Sequence, residues 1–309
     1  MLKFIIHRTL YGILLLFIAS VVIFYGLRVA PGSITDVLTN PLNREALAPV
    51  LSSQLGLDKP LPVQYFVFAK HFLTGQLGVS MVSGQPISRL IGRAITQTLL
   101  LAGAAAILTY VIAIPLGVLA AWKRNSILDQ GTMLVAVLGM GIPNFFLAVL
   151  LIQFFSVKHR WLPVAGSGDL KHLILPAVVL AAEAIAINLR VVRSSMLEEL
   201  NKDYVRTLYA KGIPNYRVIW VHVLRNALPP VIALAGIMLR TLLGYTLIVE
   251  TIFRWPGLGS QLVNSVLKRD YTVAQTLAIM LTFAVIVFNI LADVGQQWAD
   301  PRTRTHGSG

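Results

Sequence analysis

The 309-residue sequence contains no cysteine, and Asp, Glu, Lys and Arg together make up only 13% of it. Without cysteine there is neither a disulfide framework nor a thiolate metal site. Soluble domains carry roughly 25% charged residues, whereas this chain pairs its low charge with 56% hydrophobic residues. Mean hydropathy is +0.73, so too little polar surface exists to clothe an aqueous globule, and lipid is the solvent for much of the chain. Acidic residues are scarcer than basic ones, 13 against 26, for a net charge of +13. A nucleic-acid binder would display that excess on the face of a soluble fold. In a lipid-immersed chain it holds cytoplasmic loops in place and meets anionic headgroups instead. The bilayer is therefore an expected partner and nucleic acid is not.

Catalytic and metal signatures are missing as well. The histidines His7, His71, His159, His172, His222 and His306 are scattered, with no ligand spacing and no H-E-x-x-H. No G-x-S-x-G elbow occurs, and the few carboxylates are dispersed. Neither a catalytic residue nor a metal site is predicted. The chain also lacks the G-x-x-x-x-G-K-[ST] phosphate loop, so it does not itself cradle ATP in the usual way.

What is present is a series of long apolar runs. A helix needs about 20 mostly apolar residues to cross a hydrocarbon core of roughly 30 Å. Six stretches qualify: Leu10 to Leu27, Ile95 to Trp122, Gly131 to Val157, Ile174 to about Val192, Leu228 to Ile252, and Ala274 to about Val294. An all-α integral membrane protein with six spanning helices is predicted. The first run exceeds a signal-peptide core and no A-x-A site follows, so it reads as a retained anchor. Pro115, Pro143 and Pro176 interrupt three of the runs, where kinks are expected rather than breaks. The organisation reads as a first spanning helix (1–30), a long outer segment (31–93), a helical core (94–297) and a tail (298–309).

Lys and Arg set the orientation. Arg190, Arg193, Lys202, Arg206, Lys211, Arg217 and Arg225 crowd between the fourth and fifth runs, which makes that loop cytoplasmic. An even number of crossings then puts both termini inside, in agreement with Lys3, Arg8, Arg302 and Arg304 and with Lys123 and Arg124 in a second inner loop. Lys158, Arg160 and Lys171, in a short outer loop, oppose it.

The basic loop reads Asp203-Tyr204-Val205-Arg206-Thr207-Leu208-Tyr209-Ala210-Lys211-Gly212-Ile213-Pro214-Asn215-Tyr216-Arg217-Val218, followed by His222-Val223-Leu224-Arg225-Asn226-Ala227-Leu228-Pro229. Tyr204 to Lys211 predicts a short helix, Gly212 a C′ residue at positive φ, and Pro214 a stop that opens a second short helix. Such a compact basic element suits docking into a groove on a cytoplasmic partner. The stretch resembles the coupling segment of ATP-binding-cassette importer permeases, especially the dipeptide, oligopeptide and nickel branch, of the form Y-x-x-T-A-x-A-K-G and H-x-L-R-N-A-x-x-P. Tyr204, Thr207, Ala210, Lys211, Gly212, His222, Leu224, Arg225, Asn226 and Ala227 fall on the pattern. Leu208 departs from its alanine, and Arg206-Thr207-Leu208 stands where the wider superfamily has Glu-Ala-Ala. Leu55 to Tyr65 and Gly75 to Ser80 look like the branch's periplasmic signature, with Gln76 in place of a common aspartate. Glu250-Thr251-Ile252-Phe253-Arg254-Trp255-Pro256-Gly257-Leu258-Gly259 resembles its outer-loop motif. Pro256, Gly257 and Gly259 there predict a tight turn, and Trp255 an interfacial anchor.

The resemblance implies a type I importer permease fold in a bacterial inner membrane. It further implies a second homologous permease subunit, favouring a heterodimer, two cytoplasmic ATPase subunits and an extracytoplasmic binding protein. The chain would carry no cofactor, ATP and Mg residing in the ATPase subunits. Coupling would fall to Tyr204, Arg206, Thr207, Ala210, Lys211, Gly212, Pro214, Arg217, His222, Arg225 and Asn226. Peptides are the cargo expected of such permeases, with nickel and metal–opine complexes as alternatives. A self-sufficient secondary transporter would show inverted repeats, and none is evident.

Ionisable groups at membrane depth are costly and mark pairs or pathways. Glu183 and Arg240 lie about ten and twelve residues into their runs, near midplane at about 1.5 Å per residue. They are expected to pair or to line the translocation path. Asn144 beside Pro143, Gln153 and Asn188 are expected mainly to satisfy kinks or helix–helix hydrogen bonds.

Overall fold

Backbone amides in lipid have no water to bond, so an apolar run of spanning length closes its hydrogen bonds within one helix. The computed structural model, which describes residues 2–29 and 58–299, is accordingly helical. An isolated antiparallel bridge between Val79 and Pro86 is the only β pairing among the described residues. The helices are α1 (Leu2–Val29), α2 (Leu61–Leu73), α3 (Ile87–Trp122), α4 (Ile127–Gly141), α5 (Asn144–Leu151), α6 (Leu170–Leu200), α7 (Asp203–Ala210), α8 (Asn215–Arg217), α9 (Leu224–Ile252), α10 (Leu258–Leu267) and α11 (Tyr271–Ala299). π-helical turns, Ile152–Lys158 after α5 and Val218–Val223 between α8 and α9, extend their neighbours without a break.

Five helical stretches are long and apolar enough to cross a membrane, and a sixth follows if the bent pair of α4 and α5 with its π turn counts as one span. That pair corrects the third expected run. Instead of a kinked rod, the two halves meet at 110°. The cause is local: Ile142, before Pro143, is extended at φ −91 and ψ 118, as the proline ring disfavours α geometry in the preceding residue. Pro115 and Pro176 stay inside continuous helices. Helix α3 begins eight residues before its expected start, and α6 runs on to Leu200. Arg190 and Arg193, read as loop residues, therefore belong to a helix.

By its internal contacts the chain divides into two units. Among the described residues, the first holds α1, α2, α3 as far as Thr98, α10, and α11 as far as Val287. Its core joins Ile87, Ile91 and Ala94 of α3 to Leu258, Val273 and Leu277. Buried Asp270 caps α11 through Val273 N–H (3.4 Å) and accepts the Ser80 hydroxyl at 2.5 Å. The Leu258 N–H donates to Thr98 Oγ1 at 2.8 Å.

The second unit, residues 99–255 with the end of α11, is organised on α6. One cluster packs Leu101, Leu180, Leu242, Phe253 and Trp255; another packs Val118, Val192, Met196, Val205, Val218 and Ile219. Small residues let the backbones approach. A Cβ on Gly117 of α3 would meet Val192 Cβ at 2.7 Å, so only glycine fits that crossing.

Candidate functional site

Helix α7 is short, and what orders it is the face it buries. Val205 is 2% exposed, and with half-buried Tyr204, Leu208 and Ile213 it packs on Val118, Met196, Val218 and Ile219. Full burial of the Val205 side chain contributes roughly 1.5–3 kcal/mol, and the half-buried side chains less. The turn expected at Gly212 forms there, at φ +73. Gly212 N–H donates to Tyr209 O (2.9 Å) and Ile213 N–H to Leu208 O (3.2 Å), the paired bonds of a Schellman end that needs the left-handed region. Pro214 then opens α8, its carbonyl accepting from Arg217 N–H and Val218 N–H. The Tyr209 hydroxyl donates to Asn215 Oδ1 at 2.8 Å across the turn.

The opposite face is open. Arg206, Thr207, Tyr209, Ala210, Lys211, Gly212, Pro214, Tyr216 and Arg217 are exposed, giving a basic surface carrying two tyrosine rings on a rigid base. The Arg206–Asp203 contact, 3.4 Å and solvated on both sides, does not quench it, since exposed pairs are worth little. His222 is half-buried in the π turn, while Arg225 and Asn226 are exposed at the start of α9. Glu199 was not foreseen. It lies at the end of α6, accepts from Lys202 Nζ and takes the Tyr204 hydroxyl at 2.9 Å, pinning the entry to α7. The Glu199 carboxylate holds the Lys202 ammonium above its ordinary value, and burial pushes the Tyr204 phenol up.

A second polar site was also missed. Asp129, 3% exposed near the start of α4, accepts both Arg193 Nε (2.5 Å) and Nη2 (2.8 Å) from α6. It also accepts Asn125 N–H at 3.0 Å, while Ser126 Oγ caps its own N–H. The partners lie 64 residues apart, and only the run of basic residues hinted at one of them.

Glu183 is half-buried and Arg240 exposed, and the two form no ion pair with each other among the described residues. Asn144, half-buried, opens α5 at the 110° break, and Gln153 is exposed. Asn188 is fully buried and bonds its own helix at Ala184 O (2.9 Å) instead of a neighbour, leaving Oδ1 without a partner among the described residues.

The outer-loop motif is built differently from expectation. Trp255 is 2% exposed inside the second unit's core and so is no interfacial anchor. The left-handed residue is Arg254, at φ 48, with Trp255 N–H on the carbonyl of fully buried Glu250 at 2.9 Å. In the first unit, Gly257 is extended at φ −91 and precedes α10, where Gly259 is buried and Pro256 exposed. The segment Leu55–Leu57 of the periplasmic signature lies outside the described residues.

A family model described as the binding-protein-dependent transport system inner membrane component matches residues 113–305. One for the N-terminal part of such membrane components matches residues 1–102. The oligopeptide transport system permease protein AppB of Bacillus subtilis is 38% identical over 313 residues, covering 98% of this chain and 99% of that protein. The glutathione transport system permease protein GsiC of Escherichia coli O6:H1 is 37% identical over 304 residues, with the same coverage. The fold is similar to a chain of the inward-facing MetNI methionine ABC transporter, with a TM-score of 0.57 at 23% identity over 70% of this chain and 98% of that one. With more than half of the chain on one family model and relatives matched end to end, the chain belongs to the inner-membrane components of binding-protein-dependent transport systems: it is a multi-pass permease subunit of an ABC importer, not an enzyme.

Proposed function

We propose that the chain forms half of a peptide translocation pathway and couples it to cytoplasmic ATPase subunits through α7, the Gly212 turn and α8. The single observation that carries this reading is the two-faced build of that element. Its apolar face is fixed on the second unit, and its basic face is free to be gripped. A push received there reaches α6 and α9 through Val205, Val218 and Ile219 as a rigid-body displacement. ATP and Mg bind in the ATPase subunits, a binding protein delivers cargo, and a second, homologous permease completes the pathway as a heterodimer. Both termini lie in the cytoplasm, on the side of the basic segment. Relatives named for oligopeptide and glutathione transport support a peptide-class cargo.

Because the chain has no native cysteine, Lys211→Cys is the only thiol in its variant. In the assembled transporter it cross-links to an ATPase subunit. Labelling of this thiol solely from the outer side, or its failure to cross-link in an assembly that still transports, overturns the reading. Gly212→Val forces a β-branched residue into the left-handed region at about 1–2 kcal/mol. ATP hydrolysis then continues while uptake falls; unaltered uptake contradicts the placement of the coupling element.

A further inference from the structure

Two adjoining hollows in the first unit have no part in coupling. One is an apolar groove of about 660 Å³ along α1, past Ile13, Phe17 and Ser20, walled on the α2 side by Phe66 and Leu73. The other, about 330 Å³, gathers Arg28, Lys59 and His71 at the C-terminal end of α1. Phe68 and Phe72 line both, so the two are neighbours.

Arg28 sets the chemistry of the second hollow. A guanidinium has five N–H donors. Nε donates to Gln64 Oε1 at 3.0 Å, and Nη1 to Phe24 O and Gln275 Oε1, both at 3.2 Å. The guanidinium carbon sits 3.4 Å from the Phe24 ring centroid. The head is thus held in place while its Nη2 donors have no partner among the described residues. Among the described residues no carboxylate lines the hollow, and Arg28, Lys59 and His71 face it without an acid among them. Such a fixed fork matches a phosphate or carboxylate.

The polarity runs in one direction. From Ser20 to Arg28 is about 12 Å at a rise of about 1.5 Å per residue, with apolar walls at depth and cations at the helix end. A free anion would fill the basic hollow and leave the groove empty; an acyl chain alone would ignore the guanidinium. We propose that α1 and α2 hold one anionic phospholipid, its phosphate on Arg28, Lys59 and His71 and an acyl chain in the groove beside Phe17 and Phe66. The bound lipid fixes α2 against α1, adding to the Tyr65–Ser20 hydroxyl contact at 2.8 Å.

The test uses the full chain in its assembled transporter. Native mass spectrometry counts retained phosphatidylglycerol, phosphatidylcholine of the same acyl chains, and inorganic phosphate. The wild-type chain retains one phosphatidylglycerol, and Arg28→Gln weakens it roughly tenfold, as loss of charge-assisted bonds to phosphate requires. Ala69→Trp, which fills the groove, weakens both lipids. Equal retention of the two lipids, or unchanged retention in Arg28→Gln, overturns the proposal. So does displacement of the lipid by inorganic phosphate with no effect of Ala69→Trp, which would make this a free-anion site. Should Arg28→Gln not assemble, Lys59→Gln at an exposed position reads the same loss, and phosphatidylglycerol held as tightly as in the wild type overturns the proposal.

Discussion

Two acidic residues meet helix α6 under opposite circumstances. Asp129, near the start of α4, is buried and closed by both arms of Arg193, a backbone N–H and a serine cap beside it. Glu183, on α6 itself, lies ten residues, about 15 Å, before Arg193. It is half-buried, and Arg240, the cation of comparable depth, does not pair with it. The first arrangement is what a carboxylate needs if it is to stay charged inside a protein, with a bidentate guanidinium and a backbone N–H as its three donors. The second lacks that enclosure and so contributes little to holding the helices together. If Glu183 lines the translocation path, as expected of an ionisable group at membrane depth, its loss shows in transport and not in stability.

Breaking the closed pair has the largest effect. Arg193→Met leaves Asp129 buried without its counter-charge and destabilises the full chain by about 3 kcal/mol, read as thermal unfolding in detergent. Adding Asp129→Leu recovers most of that loss, because replacing both partners by apolar groups removes the unpaired charge. If Arg193→Met alone leaves the melting temperature unchanged, the contrast with Glu183 disappears. Glu183→Gln sharpens it from the other side. Stability changes by less than about 0.5 kcal/mol, while uptake by the assembled transporter falls severalfold. The exchanged pair Glu183→Arg with Arg240→Glu does not restore uptake; full rescue would show a functional ion pair between them.

The smallest effect belongs to the Asp169 cap of α6, where His172 holds the exposed carboxyl below its ordinary value. A depressed carboxylate adds stability above its unfolded-state pKa, near 3.9, and loses it as pH falls through the folded value. Melting scans between pH 6 and 3 should show a slight extra acid loss in the wild-type chain that Asp169→Asn lacks; identical scans remove the contribution.

The comparison also separates what one-dimensional reading reaches from what it does not. Long apolar runs declare themselves because lipid demands unbroken helices, and Gly212 announces its turn because few residues adopt its φ. Asp129 and Arg193 were invisible as a pair, since sequence distance hides contacts between helices. The break at Ile142 was read too gently, because Pro115 and Pro176 are tolerated within helices while Pro143 ends one. Arg254 takes the left-handed angle, whereas the motif predicts its tight turn at Pro256, Gly257 and Gly259. Trp255 was assigned to an interface on residue type alone, whereas packing against Leu101 and Phe253 decides its place.

Gly117 facing Val192 leaves no slack between α3 and α6. A larger side chain at this position would push the two helices apart, because the Val192 side chain already occupies the space a Cβ would need. The crossing therefore acts as a registration point: α3 and α6 keep their relative depth there for as long as residue 117 carries no side chain.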